Sequence, residues 1–591
     1  MGVRVERSAR RILALGFLLS LRLLAKPEDR LAGLWGGERN FGPQIRGELT
    51  ILRSGNQWTA TIGGTRAPAQ ADEGSVTFTL AGRQGSFRGR LIHNSIAGHW
   101  VQPAGVATGS SWATPVQLTA VSGNAWRGTV APLAETVSLY LDVRREADGT
   151  QSAVLRNPDG WFHNGRLRPV LEGTHLRLLG IDNGATLLEG TFLEAPGSDG
   201  KSDRLAFFLP DLKTTFELVR RSRDEAIGYY PRTPAQPRYL YRPPLAEDDG
   251  WRTASLTQVG LDEEKIVALV QKIIDVDPAG QTAPLVQGLL IARHGKLALE
   301  EYFYGFDQER PHDLRSAGKT FASVLFGIAM ENGAKLDVRD KVYSLFPEYT
   351  DFANPDPRKQ EMTVEHLMTM TSGLDCDENG NENAPGNEEK MQSQTGQPDW
   401  YKFILDLPLA RAPGQAFAYC SGGVNLIGGI VRNRAGRWLP DLFREGLGRP
   451  LQMHGWHFNL TPAGEAYLGG GLHLRPRDEL KLGQMYLDGG TWNRRRVVSK
   501  SWIARSTAHP ANLAGTDGYD WHLNQVKAGD RVLREYEASG NGGQFLIVLP
   551  ELDLAVVFTG GNYQNYGVWR RFRDELLSQS IIPAVKGLGS E

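Results

Sequence analysis

A serine three residues ahead of a lysine, Ser316-Ala317-Gly318-Lys319, is the arrangement in this chain best suited to covalent chemistry. At helical spacing the hydroxyl and the amine share one face, close enough to touch. Partial desolvation would lower the pKa of that lysine toward the range of a general base, and an inert alcohol would become a nucleophile. S-x-x-K also arises by chance, as a capping serine followed by a surface lysine, so it counts only in company.

That company follows in order along the chain. Phe417-Ala418-Tyr419-Cys420-Ser421-Gly422-Gly423 offers a phenol, Tyr419. Beside an ammonium such a phenol loses its proton more readily and can relay protons to a leaving group. Ser539-Gly540-Asn541-Gly542-Gly543-Gln544 opens a strand-like run that Pro550 closes. Its glycines let backbone approach a substrate, and the N–H groups of Ser316 and Gln544 would pair as an oxyanion hole.

The elements that must position these groups are legible from periodicity. Phe321, Val324, Leu325 and Ile328 follow Lys319 at a helical period that stops at Gly333. Ser316 would then stand at a helix N-terminus, where free N–H groups and the dipole favour developing negative charge. Residues 261–275 read as an amphipathic helix, and 285–293 with 296–303 as a hairpin turning at His294-Gly295. Near the other end, 544–549 and 552–558 read as strands and 568–577 as a closing helix. Sheet strands thus come from both ends of this half, with a helical block between them.

These three motifs, in this order and with the segment 362–374 between the first two, resemble the serine β-lactamase and penicillin-recognising superfamily. The resemblance is to its class C β-lactamase, esterase and D-stereospecific peptidase branch, and covers about residues 256–580. It implies an α/β plus all-α, DD-peptidase-like domain with Ser316 as nucleophile and Lys319 and Tyr419 in proton transfer. It also implies an oxyanion hole at Ser316 and Gln544, with Ser421, Asn541, Gly542 and Gly543 at the substrate. A Ser/Lys/Tyr site needs neither metal nor cofactor.

Two departures narrow the activity. Tyr419-Cys420-Ser421 stands where the branch has Tyr-x-Asn, which removes an amide, and Asn541-Gly542-Gly543 stands where it has Lys-Thr-Gly, which removes a cation. A neutral asparagine donates a hydrogen bond without charge, and Arg534 or Lys527 would have to replace it. The reading is a serine hydrolase acting by acyl transfer on an ester, amide or peptide-like substrate, with a true β-lactamase or D,D-peptidase disfavoured. The rival class is a binding protein that keeps the fold and has lost turnover.

The chain has 591 residues, 40% of them hydrophobic, a formal charge of -1 and scattered basic residues. That indicates a multidomain globular protein and gives no case for nucleic acid. Arg4, Arg7, Arg10 and Arg11 precede an apolar run over 12–25 that Arg22 interrupts, which reads as a signal peptide at 1–25, with an anchor helix as the other reading. Export to the periplasm or medium follows, without a stable transmembrane anchor. The two cysteines, Cys376 and Cys420, would form a disulfide in that setting or remain reduced thiols, and both readings stay open.

Residues 28–222 alternate apolar and polar in short runs cut by Gly, Asn and Asp, an all-β accessory domain. It reads as two antiparallel meander repeats, about 28–116 and 117–222, closing into a barrel-like form with its tryptophans in core and rim. A Pro- and Tyr-rich linker over 223–255 leads to the hydrolase domain at 256–585.

Overall fold

Short alternating strands leave β-edges that must be paired, and in the N-terminal half they close on themselves twice. The computed structural model describes residues 30–160, 165–193, 203–210, 212–233, 238–381, 383–393 and 399–587, so the signal expected at 1–25 lies outside the described residues. Eight antiparallel strands from Gly47–Ser54 to Ala125–Val130 form the first barrel. It closes because Ala125–Val130 pairs with both Gly47–Ser54 and Ser111–Ser122. Positive φ at Glu73 and Gly74 marks a primed two-residue turn whose twist suits a tight hairpin.

The second barrel, also of eight strands, starts at Gly33–Asn40 and resumes at Thr136–Arg145. Gly33–Asn40 pairs on one side with Thr136–Arg145 and on the other with Thr214–Arg220. Leu49, Ile51 and Trp100 fill the first interior, and Trp35, Phe192 and Phe207 the second, so both are packed cores.

The expected repeats 28–116 and 117–222 need correction. Gly33–Asn40 belongs to the later barrel, and Ser111–Ser122 straddles the assumed border. Alternation identifies a strand, whereas the strand that closes a barrel is chosen by long-range pairing.

Downstream, a seven-stranded sheet runs in the order Arg252–Thr253, Lys296–Tyr302, Val286–Arg293, Leu554–Gly560, Gln544–Leu549, Arg531–Gly540, His522–Ala528. One face is covered by the helix Glu263–Ile274, capped by Asp262, and by the helical stretch Phe572–Ile581. The apolar residues Ile266, Leu269, Val270 and Ile273 recur at the helical period and all are buried. Against the other face lie Pro476–Leu487 and the helical block, centred on Thr320–Glu331, whose residues Thr320 to Ala329 are all buried.

The first barrel is continuous with this half. Ser111–Ser122 pairs with Trp456–Leu460, that strand with Leu472–Leu474, and that in turn with His312–Asp313. The register sets Asp313 beside His473 and His473 beside His457, whose Nδ1 lies 2.8 Å from Thr114 Oγ1. A barrel strand is thereby tied to the segment that leads directly into Ser316.

Candidate active site

Ser316 sits in a tight turn, Arg315–Lys319, that runs straight into the buried helix Thr320–Glu331. One turn on, Lys319 Nζ donates to Ser316 Oγ at 2.9 Å and also to the Gly469 carbonyl. The helix Ser421–Ala435 steadies that loop, since Asn425 Oδ1 accepts from Leu468 N at 3.2 Å.

Lys319 is 3% exposed, and burial alone would lower its pKa. Tyr419, Glu388 and Glu378 outweigh burial, and the pKa is raised. The expected depression toward a neutral amine is therefore corrected. The sequence could show a lysine about to be buried but not the carboxylates that would gather round it.

Tyr419 presents its ring 5.0 Å from Lys319 Nζ, measured to the centroid. It is held by its neighbours: the Tyr419 carbonyl accepts from Glu378 N at 2.9 Å, and Cys420 forms a disulfide with Cys376. Ser421, fully buried, does not line the cleft and donates its N–H and its hydroxyl to Glu378, each at 2.7 Å.

The third motif meets the nucleophile at a different register. A Cβ on Gly540 would fall 2.4 Å from Leu314 O and 3.1 Å from Ala317 N, so only glycine lets this strand approach the turn so closely. Asn541 Oδ1 accepts from Gln564 N at 2.7 Å, Gly542 packs on Tyr563 and Gly543 on Phe572. Gln544 lies across from Gly540 on the next strand, and its side chain is engaged with both backbone groups of Gly560. The stretch facing Ser316 is Ala538-Ser539-Gly540, which is also without a cation, and Arg534 and Lys527 are exposed.

The cleft is lined by Ser316, Lys319, Tyr419, Asp520, His522 and Ser539 among others, and measures about 20 Å³. A far larger cavity of about 690 Å³ lies where the barrels meet the catalytic half, lined by His312, Asp313, His457 and His473 but not by Ser316. Volume alone does not mark the chemistry here. Two groups in the cleft gave no strong sequence signal. His522, which reads as a lone histidine beside a tryptophan, has Nδ1 2.9 Å from Asp517 Oδ2; burial lowers its pKa, but this bond and the charges of Asp517 and Glu537 together raise it. Asp520 lies on an irregular loop that no periodicity describes, with both its carboxylate oxygens buried.

The family model described as Beta-lactamase matches residues 271–568. The 6-aminohexanoate-dimer hydrolase of Paenarthrobacter ureafaciens is 25% identical over 238 residues, which are 39% of this chain and only 58% of that hydrolase. Among solved structures, a penicillin-binding protein homolog from Caulobacter crescentus shares 16% identity at a TM-score of 0.40, over 51% of this chain and 93% of that one. Simvastatin synthase from Aspergillus terreus shares 16% identity at a TM-score of 0.42, over 55% of this chain and 98% of its own. With half of its length matched by the family model, the chain belongs to the beta-lactamase family.

Proposed function

We propose that the protein is a serine hydrolase that transfers an acyl group through a covalent ester on Ser316. The observation that carries this reading is the 2.9 Å hydrogen bond from Lys319 Nζ to Ser316 Oγ inside a largely buried cleft. Lys319, kept as an ammonium by the groups around it, orients the hydroxyl and offsets negative charge developing on it. Tyr419, facing that ammonium, takes the Ser316 proton and returns it to the leaving group. The Ser316 N–H, at the start of the turn, and backbone at the close approach of Gly540 are the groups placed to hold the oxyanion.

The substrate is a small carboxylic ester, amide or peptide-like molecule. Similarity to a protein named for hydrolysis of 6-aminohexanoate dimer supports hydrolysis of a small molecule. The cation-free stretch Ala538-Ser539-Gly540 argues against recognition of a β-lactam carboxylate. The disulfide suits an oxidising compartment, and we place the protein outside the cytoplasm.

The test is intact mass after a fluorophosphonate probe, on wild type and Ser316→Ala, with p-nitrophenyl acetate and nitrocefin turnover on the same preparations. We expect one adduct that the substitution abolishes, ester cleavage that falls by several orders of magnitude with it, and nitrocefin spared. Near-normal ester turnover by Ser316→Ala would sink the assignment.

A further inference from the structure

Asp520 lines the cleft of the nucleophile without a hydrogen-bond partner for its side chain among the described residues. It lines the same cleft as Ser316 and Lys319, both its carboxylate oxygens are buried, and no donor among the described residues hydrogen-bonds either. Its backbone is held at a φ of 56°, in the left-handed region. Asp520 N donates to Met368 O at 2.9 Å, and Thr320 Oγ1 donates to the Asp520 carbonyl at 2.7 Å. An unsatisfied buried polar group and a left-handed backbone at a non-glycine residue are each unfavourable. The fold tolerates both at one residue, within the reaction cleft.

Burial is the largest influence on Asp520 and lifts its pKa well above the ordinary aspartate range. Lys319 acts against that rise, and Asp517, itself bonded to His522, adds to it. Size indicates what would complete the carboxylate. The cleft's volume of about 20 Å³ is enough to hold one water.

We propose that Asp520 is the general base of the second half-reaction, binding the water that releases the acyl group from Ser316. The proposal rests on the seryl-ester reading. The water oxygen attacks the ester carbonyl and its proton passes to the Asp520 carboxylate. The bond between the carbonyl carbon and Ser316 Oγ then breaks, and Oγ takes a proton from the Lys319–Tyr419 pair. The carboxylic acid departs and the proton on Asp520 returns to the pair, so the site ends in its starting state. Tyr419 thus serves acylation and Asp520 serves hydrolysis.

Burst kinetics with p-nitrophenyl acetate and quenched intact mass, run on the full chain, test this assignment. Asp520→Asn keeps the size and tolerates a left-handed backbone, and Asp520→Gly relieves the strain, so a folding defect cannot mimic the result in both. The expected result for both variants is a stoichiometric burst, an acetyl adduct that persists, and steady-state release slowed about 100-fold. Hydroxylamine, which attacks without a base, should speed release from the variants by a larger factor than from wild type. Adduct cleared at the wild-type rate would overturn the proposal, as would burst and steady state lost together without hydroxylamine rescue. A wild type that forms no acetyl adduct would overturn the seryl-ester reading itself, and this proposal with it.

Discussion

The Ser421 N–H and hydroxyl both donate to the Glu378 carboxylate, each at 2.7 Å. At the position where a Tyr-x-Asn motif would present an amide, this chain has a hydroxyl committed inward to a glutamate. Glu378 also caps the first N–H of the helix Ser421–Ala435, where the dipole favours an anion. Burial and the nearby Glu388 push its pKa up to about 7, against the pull of Lys319 and of its bonds to Ser421.

The sign of the resulting pH dependence is fixed by that shift. Between the ordinary glutamate value, about 4.3, and the raised value of about 7, the folded chain holds a proton that the unfolded chain has lost. The contribution of Glu378 to stability is therefore full below that window and declines as pH rises through it. Glu378→Gln removes this dependence. In calorimetry, Tm of the variant minus Tm of wild type should be more positive at pH 8 than at pH 5, and an unchanged difference would contradict the assignment.

Gly540→Ala places a methyl group 2.4 Å from the Leu314 carbonyl. The turn carrying Ser316 must then shift, at a cost of about 1–3 kcal/mol. We expect ester turnover to fall at least about 100-fold, because small displacements of reacting groups are that costly. The check is kcat on p-nitrophenyl acetate beside a denaturation curve. Wild-type kcat with wild-type stability would show that the close approach does not matter.

The disulfide joins residues separated by 44 positions, so it restricts the unfolded chain and anchors the Glu378 loop to Tyr419. A loop of that length corresponds to about 4 kcal/mol. Replacing both cysteines by serine should lower Tm by several degrees. In denatured wild type, a thiol reagent should find free thiols only after reduction.

The pairing of Ser111–Ser122 with Trp456–Leu460 predicts that the first barrel and the catalytic half unfold together. A fragment beginning at residue 250 would expose that strand edge and leave His457, 6% exposed in the whole chain, in water. We expect it to aggregate in size-exclusion chromatography, whereas the full chain elutes cleanly. A monodisperse, active fragment would show that the barrels are dispensable.

The site's core was legible because it depends on short spacing. Ser316 and Lys319 lie one helical turn apart, and the periodicity of Phe321, Val324, Leu325 and Ile328 shows that a buried helix holds them there. The hairpin at His294-Gly295 and the strand Gln544–Leu549 were readable for the same local reason. Glycine content marks both Gly540 and Gly542-Gly543, and only packing against Leu314 shows that Gly540 is the one that meets the turn of the nucleophile.

By itself the sequence determined the order of motifs, the strand and helix periods, and the all-β character of the N-terminal half. These follow from propensities and contacts within a turn or a hairpin. Only the tertiary structure decided that Gly33–Asn40 closes the second barrel, that Tyr419 with Glu388 and Glu378 raises the pKa of Lys319, and that Asp520 reaches the cleft. Barrel closure and the electrostatics of a buried site depend on residues tens to hundreds of positions apart, brought together by the pairing of strands and the burial of loops, which no local pattern encodes.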